Sequence, residues 1–157
     1  MGSDNDKKEV FVSYSHLDKE YLLDMRKHLY SLQNSILYWD DSFILAGEKW
    51  ESKIQSALEC CKIAVLLVSA NFFNSDYIRS KELPFLLERA EVGMINILIV
   101  IIRPCLFSEY PELTQYQSFN PPSETVMQMT VVERELFWVR LGLYIKQMAT
   151  KPTVKNG

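Results

Sequence analysis

Two nearly unbroken apolar runs, Ile63-Ala64-Val65-Leu66-Leu67-Val68-Ser69 and Ile95-Asn96-Ile97-Leu98-Ile99-Val100-Ile101-Ile102, constrain this chain more than any other feature. Each has the length of a strand, is rich in branched residues and lacks the polar alternation of a strand with one wet face. Each therefore has to be covered on both faces, as strands of a parallel sheet are. Neither is long enough to cross a bilayer as a helix. Val10 to Tyr14 reads as an earlier strand and Ile36 to Trp39 as a short second one. Helical spacing fills the gaps between them, so the expected fold is α/β: a doubly wound parallel sheet of four to five strands, joined by right-handed crossovers, with helices on both faces. Leu113 to Phe119 is the candidate fifth, edge strand, because Pro111, Pro121 and Pro122 punctuate the rest of its segment.

The helices are legible as stripes. Leu22, Met25, Leu29 and Leu32 share one face after a cap offered by Ser15 or Asp18, and Trp50, Ile54, Ala57, Leu58 and Cys61 share another. Leu83, Leu86, Leu87 and Ala90 make a third stripe, capped by Ser75. Pro84, which cannot donate to the helical ladder, predicts an irregular turn around Glu82. The last helix opens on the capping box Thr130 to Glu133 and runs to about Met148. It carries two apolar stripes, Leu136-Val139-Leu143 and Phe137-Leu141-Tyr144-Met148, so it is either packed deeply or meets a partner.

With 157 residues, 48% hydrophobic and 24% charged, the chain suits one domain that folds without metals or disulfides. That domain is expected over residues 9–149, between polar tails at 1–8 (disordered) and 150–157. A net charge of -3 gives no general attraction to nucleic acid or to an anionic membrane. Cys60, Cys61 and Cys105 lack metal spacing and read as reduced thiols, which with the polar N-terminus implies a cytoplasmic protein.

In such sheets chemistry collects beyond the carboxyl ends of the strands. No G-x-G pattern, phosphate loop, G-x-S-x-G elbow or metal-spaced cluster is present, and Ser69-Ala70 stands where a phosphoacceptor would need an aspartate. What remains is a strand-end crevice holding a carboxylate, hydroxyls and aromatics. On spacing alone Glu82 reads as a solvated helix carboxylate, with a catalytic role as the alternative. Trp50 reads equally as core or as a crevice wall.

Several ordered pieces nevertheless resemble the bacterial Toll/interleukin-1 receptor (TIR) domains. Phe11-Val12-Ser13-Tyr14-Ser15-His16 with Asp18 is similar to the family's first box. Trp39-Asp40-Asp41, Ile44 and Ala46-Gly47-Glu48-Lys49-Trp50 are similar to its second strand and following loop. Ser75-Asp76-Tyr77-Ile78 with Lys81-Glu82-Leu83 is similar to the segment carrying a catalytic glutamate, and Phe137-Trp138 to the third box. Ile78 stands where many active members have tryptophan.

The resemblance implies a flavodoxin-like fold and, for members of the NAD-cleaving type, hydrolysis of the nicotinamide N-glycosidic bond, some members cyclising the product. It maps the catalytic role onto Glu82 and substrate contacts onto Tyr14, Ser15, His16, Asp40, Trp50, Ser75, Tyr77 and Ile78. It implies no metal and no cofactor, with NAD+ as substrate. Partners would be other TIR domains, in a dimer or filament assembled through Phe43, Ile44, Leu45 and Gly47, and a fused or separate sensor domain. The setting it implies is antiphage or cell-death signalling. A non-catalytic interaction module is the alternative, and neither nucleic acid nor membrane is an expected partner.

Overall fold

The computed structural model describes residues 7–151. Four strands form one sheet: β1 (Lys8–Ser13), β2 (Ile36–Trp39), β3 (Ile63–Val68) and β4 (Asn96–Ile101). All neighbours are parallel and the order is β2-β1-β3-β4, which is the flavodoxin-like doubly wound arrangement. The helices are α1 (Lys19–Leu29), α2 (Trp50–Cys60), the single turn α3 (Ala70–Phe73), α4 (Leu83–Glu91), the short α5 (Pro111–Thr114) and α6 (Val131–Thr150). None among the described residues is long and apolar enough to cross a membrane.

Alternation along β3 shows how the two faces are covered. Ile63, Val65 and Leu67 pack with Leu22, Met25 and Leu29 of α1 and with Trp138, Leu141 and Ile145 of α6. Ala64, Leu66 and Val68 pack instead with Ile54 and Leu58 of α2, Phe72 of α3, and Leu83 and Leu86 of α4. All six β3 residues are fully buried, as the unbroken run requires. Trp138 adds a polar tie, donating from Nε1 to Asp24 Oδ2 of α1 at 2.9 Å.

Three boundaries differ from expectation. β1 stops at Ser13, which leaves Tyr14 in the loop. The edge strand expected over 113–119 is reduced to one parallel bridge between Ser118 and Ile99. Beyond it the carboxamide of Asn120 takes over, accepting from Ile101 N–H at 3.0 Å and donating to Ile101 C=O at 2.9 Å. A side chain thus occupies the place of a strand on the β4 edge, where proline-rich backbone cannot continue a ladder. At the ends, Lys8 belongs to β1 and Thr150 closes α6. The other tail residues, 1–6 and 152–157, lie outside the described residues.

The loops at the carboxyl end of the sheet are fastened by Asp18, which is fully buried. It accepts from Ser69 Oγ after β3, from Asn71 Nδ2 at 3.0 Å and from Arg103 Nη1 after β4 at 3.4 Å. Ser15, rather than Asp18, caps the 3-10 turn that leads into α1. Removing one member of a buried charged network strands the rest, so Asp18→Ala should cost about 3 kcal/mol of stability in urea unfolding. A loss below about 1 kcal/mol would mean that the network does not hold these loops.

Candidate active site

The sheet's switch point lies between β1 and β3, from which connections leave in opposite directions, and a crevice opens there. Ser13 ends β1 on the same face as Phe11, towards α4. After β3 the chain makes α3 and then a wide π turn over Ile78–Glu82, in which Leu83 N–H reaches back five residues to Ile78 C=O. Pro84 sits in the first turn of α4, where its missing N–H costs nothing. The extra residue of the π turn interrupts the regular helical register, and Glu82 points inward. The irregularity expected around Glu82 is thus a defined local structure.

Glu82 is only 6% exposed, and its Oε1 accepts from Ser13 Oγ at 2.7 Å. Burial raises its pKa from 4.5 to about 7, and the nearby Asp41 carboxylate pushes the same way; the Ser13 bond and His16 oppose them. The cavity in front of it has a volume of about 310 Å³. The loop after β1 supplies Tyr14, Ser15, His16 and Leu17, and the start of α2 supplies Trp50. The segment after β3 supplies Asn71, Asn74, Ser75, Tyr77, Ile78 and Glu82. Trp50 is 44% exposed and leans on Tyr77, ring centres 4.4 Å apart, so it belongs to the crevice rim and not to the core. Ile78 is buried and also lines the cavity.

Among the residues expected at this site, Asp40 lies elsewhere. Its carboxylate is buried and accepts from Tyr38 Oη at 2.6 Å, Arg26 Nη1 at 3.2 Å and Ser42 N–H at 2.9 Å, capping the turn Asp41–Phe43. It holds the loop and does not line the crevice. The neighbouring Asp41 lines it instead, with Oδ1 accepting from Tyr14 Oη at 2.7 Å and Oδ2 paired with His16 Nε2 at 2.6 Å. Burial, reinforced by Asp41, keeps the Tyr14 phenol protonated. Paired acids at a strand end do not reveal which one turns inward. The capping geometry of Asp40 decides it, and an aspartate before a tight turn with serine two residues on is the signal that sequence reasoning could have used.

The loop that follows presents its apolar residues unequally. Leu45 is 70% exposed and Phe43 about half, resting on Tyr38 with Arg26 over its ring. Ile44 turns back against the α2–α4 core. Gly47 has a φ of +88°, a conformation that favours glycine. Glu48 stiffens the loop by accepting from Leu45 N–H at 2.7 Å and pairing with Lys53 at 2.9 Å.

A parallel sheet in this order, with the Glu82 carboxylate buried at its switch point and lining the cavity there, defines a class of α/β domain with a strand-end crevice. The family model for the TIR domain matches residues 10–127, and the chain belongs to that family. It is also 36% identical, over 104 residues, to an uncharacterized protein, y4lF, of Sinorhizobium fredii (strain NBRC 101917 / NGR234). That match takes in 65% of this chain and 32% of the relative, so the chain spans about a third of the length of the curated relative it matches.

A buried carboxyl whose folded pKa lies above its unfolded value costs the fold nothing below pH 4.5. The cost grows as pH rises towards 7, because over that window the unfolded state has lost a proton that the folded state keeps. Glu82→Gln, which keeps an acceptor for Ser13, should therefore be more stable than wild type by up to about 3 kcal/mol at pH 8, the difference vanishing near pH 4. Parallel pH–stability curves for the two proteins would contradict this.

Proposed function

We propose that this chain is an NAD+ glycohydrolase that releases nicotinamide and ADP-ribose when TIR domains assemble, in a bacterial antiphage or cell-death response. The observation that carries the reading is the buried Glu82 carboxyl facing a crevice walled by aromatic and hydroxyl side chains. Fission of the bond between ribose C1′ and the pyridinium nitrogen sends the electron pair to nicotinamide, which leaves neutral and needs no acid. The ribose becomes oxocarbenium-like, and an ionised Glu82 stabilises that charge and holds the ribose hydroxyls. Water then adds at C1′ and passes one proton to bulk solvent, so hydrolysis releases nicotinamide, ADP-ribose and a proton, and closure onto a second site of the ADP-ribose, again with loss of one proton to solvent, would yield a cyclised product instead. Trp50 and Tyr77 flank the nicotinamide, Ile78 closes the floor, and Ser75 and Ser15 offer hydroxyls. Tyr14 and His16 act chiefly by fixing Asp41. No cofactor enters this scheme.

A cavity of about 310 Å³ is at the lower limit for a ligand pocket and suits the nicotinamide riboside end. The remainder of the dinucleotide extends past the rim, where a neighbouring copy brought in by the loop 41–49 would complete the site. NAD+ loss should therefore rise more steeply than linearly with protein concentration. Glu82→Ala should lower turnover at least about 100-fold with the fold intact; equal turnover by the variant and wild type would overturn the reading. Because the ionised form acts and burial places its pKa near 7, kcat/KM should rise with pH, about tenfold per unit below pH 7 and flat above it. A profile flat from pH 5 to pH 8 would exclude Glu82 as the titrating group.

The exposed Phe43 and Leu45 favour a second reading, a non-catalytic module that binds other TIR domains or a sensor domain. Leu45→Asp separates the two, being preferable to a change at the half-buried Ile44. On the enzyme reading it abolishes concentration-dependent NAD+ loss; on the module reading it abolishes association while no NAD+ is consumed by any variant.

A further inference from the structure

His16 lines the crevice with one ring nitrogen engaged and the other free. It opens the 3-10 turn His16–Asp18, which Ser15 caps, and its backbone is anchored there because Asp18 N–H donates to Ser15 C=O at 2.8 Å. The ring centre lies 5.5 Å from that of Tyr14, and Nε2 lies 2.6 Å from Asp41 Oδ2. Asp41 is itself held through Oδ1 by the Tyr14 phenol, which stays protonated. A carboxylate only accepts, so this bond puts the proton of a neutral imidazole on Nε2 and leaves a lone pair on Nδ1. Nδ1 has no hydrogen-bond partner among the described residues, and the His16 side chain is 69% exposed.

An imidazole oriented by a carboxylate on one nitrogen and open on the other is the arrangement in which histidine serves as a general base. Tyr14 and His16 fix Asp41, and Asp41 in turn fixes His16. Asp41 is less suited to take a further proton, because both of its oxygens already accept from a donor. Glu82 is buried, with Oε1 held by Ser13, and on the glycohydrolase reading its charge is committed to the ribose.

We infer that His16 is the base that activates the attacking water, a second catalytic residue whose role rests on the glycohydrolase reading. As the water oxygen bonds to C1′, one of its O–H bonds breaks and the proton passes to Nδ1, giving an imidazolium whose charge Asp41 balances. The exposed ring then releases that proton to bulk solvent and returns to its starting state. The overall yield is unchanged: nicotinamide, ADP-ribose and one proton. Fission of the C1′–nitrogen bond precedes this step and does not use His16. His16 therefore governs which nucleophile captures the ribosyl cation, not how fast the cation forms. Water needs a base, whereas a pyridine nitrogen attacks with its own lone pair and has no proton to lose.

Partition between water and a pyridine tests the role. With NAD+ and 3-acetylpyridine, at a protein concentration where wild type turns over, ADP-ribose measures capture by water and the acetylpyridine dinucleotide measures capture by the added base. Their sum measures bond fission. His16→Gln, whose carboxamide still donates to Asp41 but supplies no base, should lower the ratio of ADP-ribose to exchange product at least about tenfold, with the sum changed less than about threefold. His16→Ala should do the same, and added imidazole should restore its hydrolysis. Both variants should keep the wild-type circular dichroism spectrum, since the side chain is exposed. An unchanged ratio in both would overturn the role of His16 and leave the glycohydrolase reading standing. A ratio lowered in His16→Ala but not in His16→Gln would also overturn it, because His16 would then only position Asp41, as would an equal fall in both products. A wild type that forms neither product would overturn both readings.

Discussion

One buried hydrogen bond, from Ser13 Oγ to Glu82 Oε1 at 2.7 Å, joins the end of β1 to the wide turn that follows β3, and the crevice depends on it. Neither partner would be where it is without the sheet. β1 and β3 are adjacent and parallel, so their carboxyl ends open side by side, and doubly wound topology carries the two connections away in opposite directions. Pro84 adds the local constraint by opening α4 only after the π turn has placed Glu82. Without the bond, a carboxyl at this depth would lose its one protein hydrogen-bond partner among the described residues.

Two other carboxylates serve the same crevice without entering it. Asp18 clamps the loops after β1, β3 and β4, and Asp40 clamps the loop after β2 through Arg26, Tyr38 and Ser42. Both are fully paired, as buried charges have to be. Glu82 is buried with a single hydroxyl for a partner, and burial, only partly offset by that bond, raises its pKa. The contrast between saturated and unsaturated carboxylates in one cluster of loops is the physical mark of the candidate site.

Much of this was legible in the sequence because the apolar runs of β3 and β4 admit only a doubly covered parallel sheet, and the stripes of α1, α2 and α4 supply the cover. The crevice residues were placed by motif, and the fold gathers Tyr14, Ser15, His16, Trp50, Ser75, Tyr77 and Ile78 around Glu82. What was not legible depends on pairing at a distance. The role of Asp18 rests on Ser69 and Arg103, remote in sequence, and the substitution of Asn120 for a fifth strand rests on a carboxamide imitating backbone. The exchange of Asp40 for Asp41 turns on a single residue of register at a strand end, where periodicity has no resolving power. The two stripes of α6 were visible, and packing divides them: Leu136, Val139 and Leu143 face solvent, whereas Phe137 and Leu141 of the second stripe are buried, Met148 partly so, and Tyr144 is exposed; Trp138 and Ile145, outside both stripes, complete the core face.

The central claim is that Glu82 is a buried carboxyl held close to half ionisation at neutral pH by its surroundings. Carbon-13 NMR titration of the side-chain carboxyl, assigned by comparison with Glu82→Gln, measures this directly. A midpoint near 7 is predicted. A midpoint near 4.5, the value of a solvated glutamate, would contradict the account.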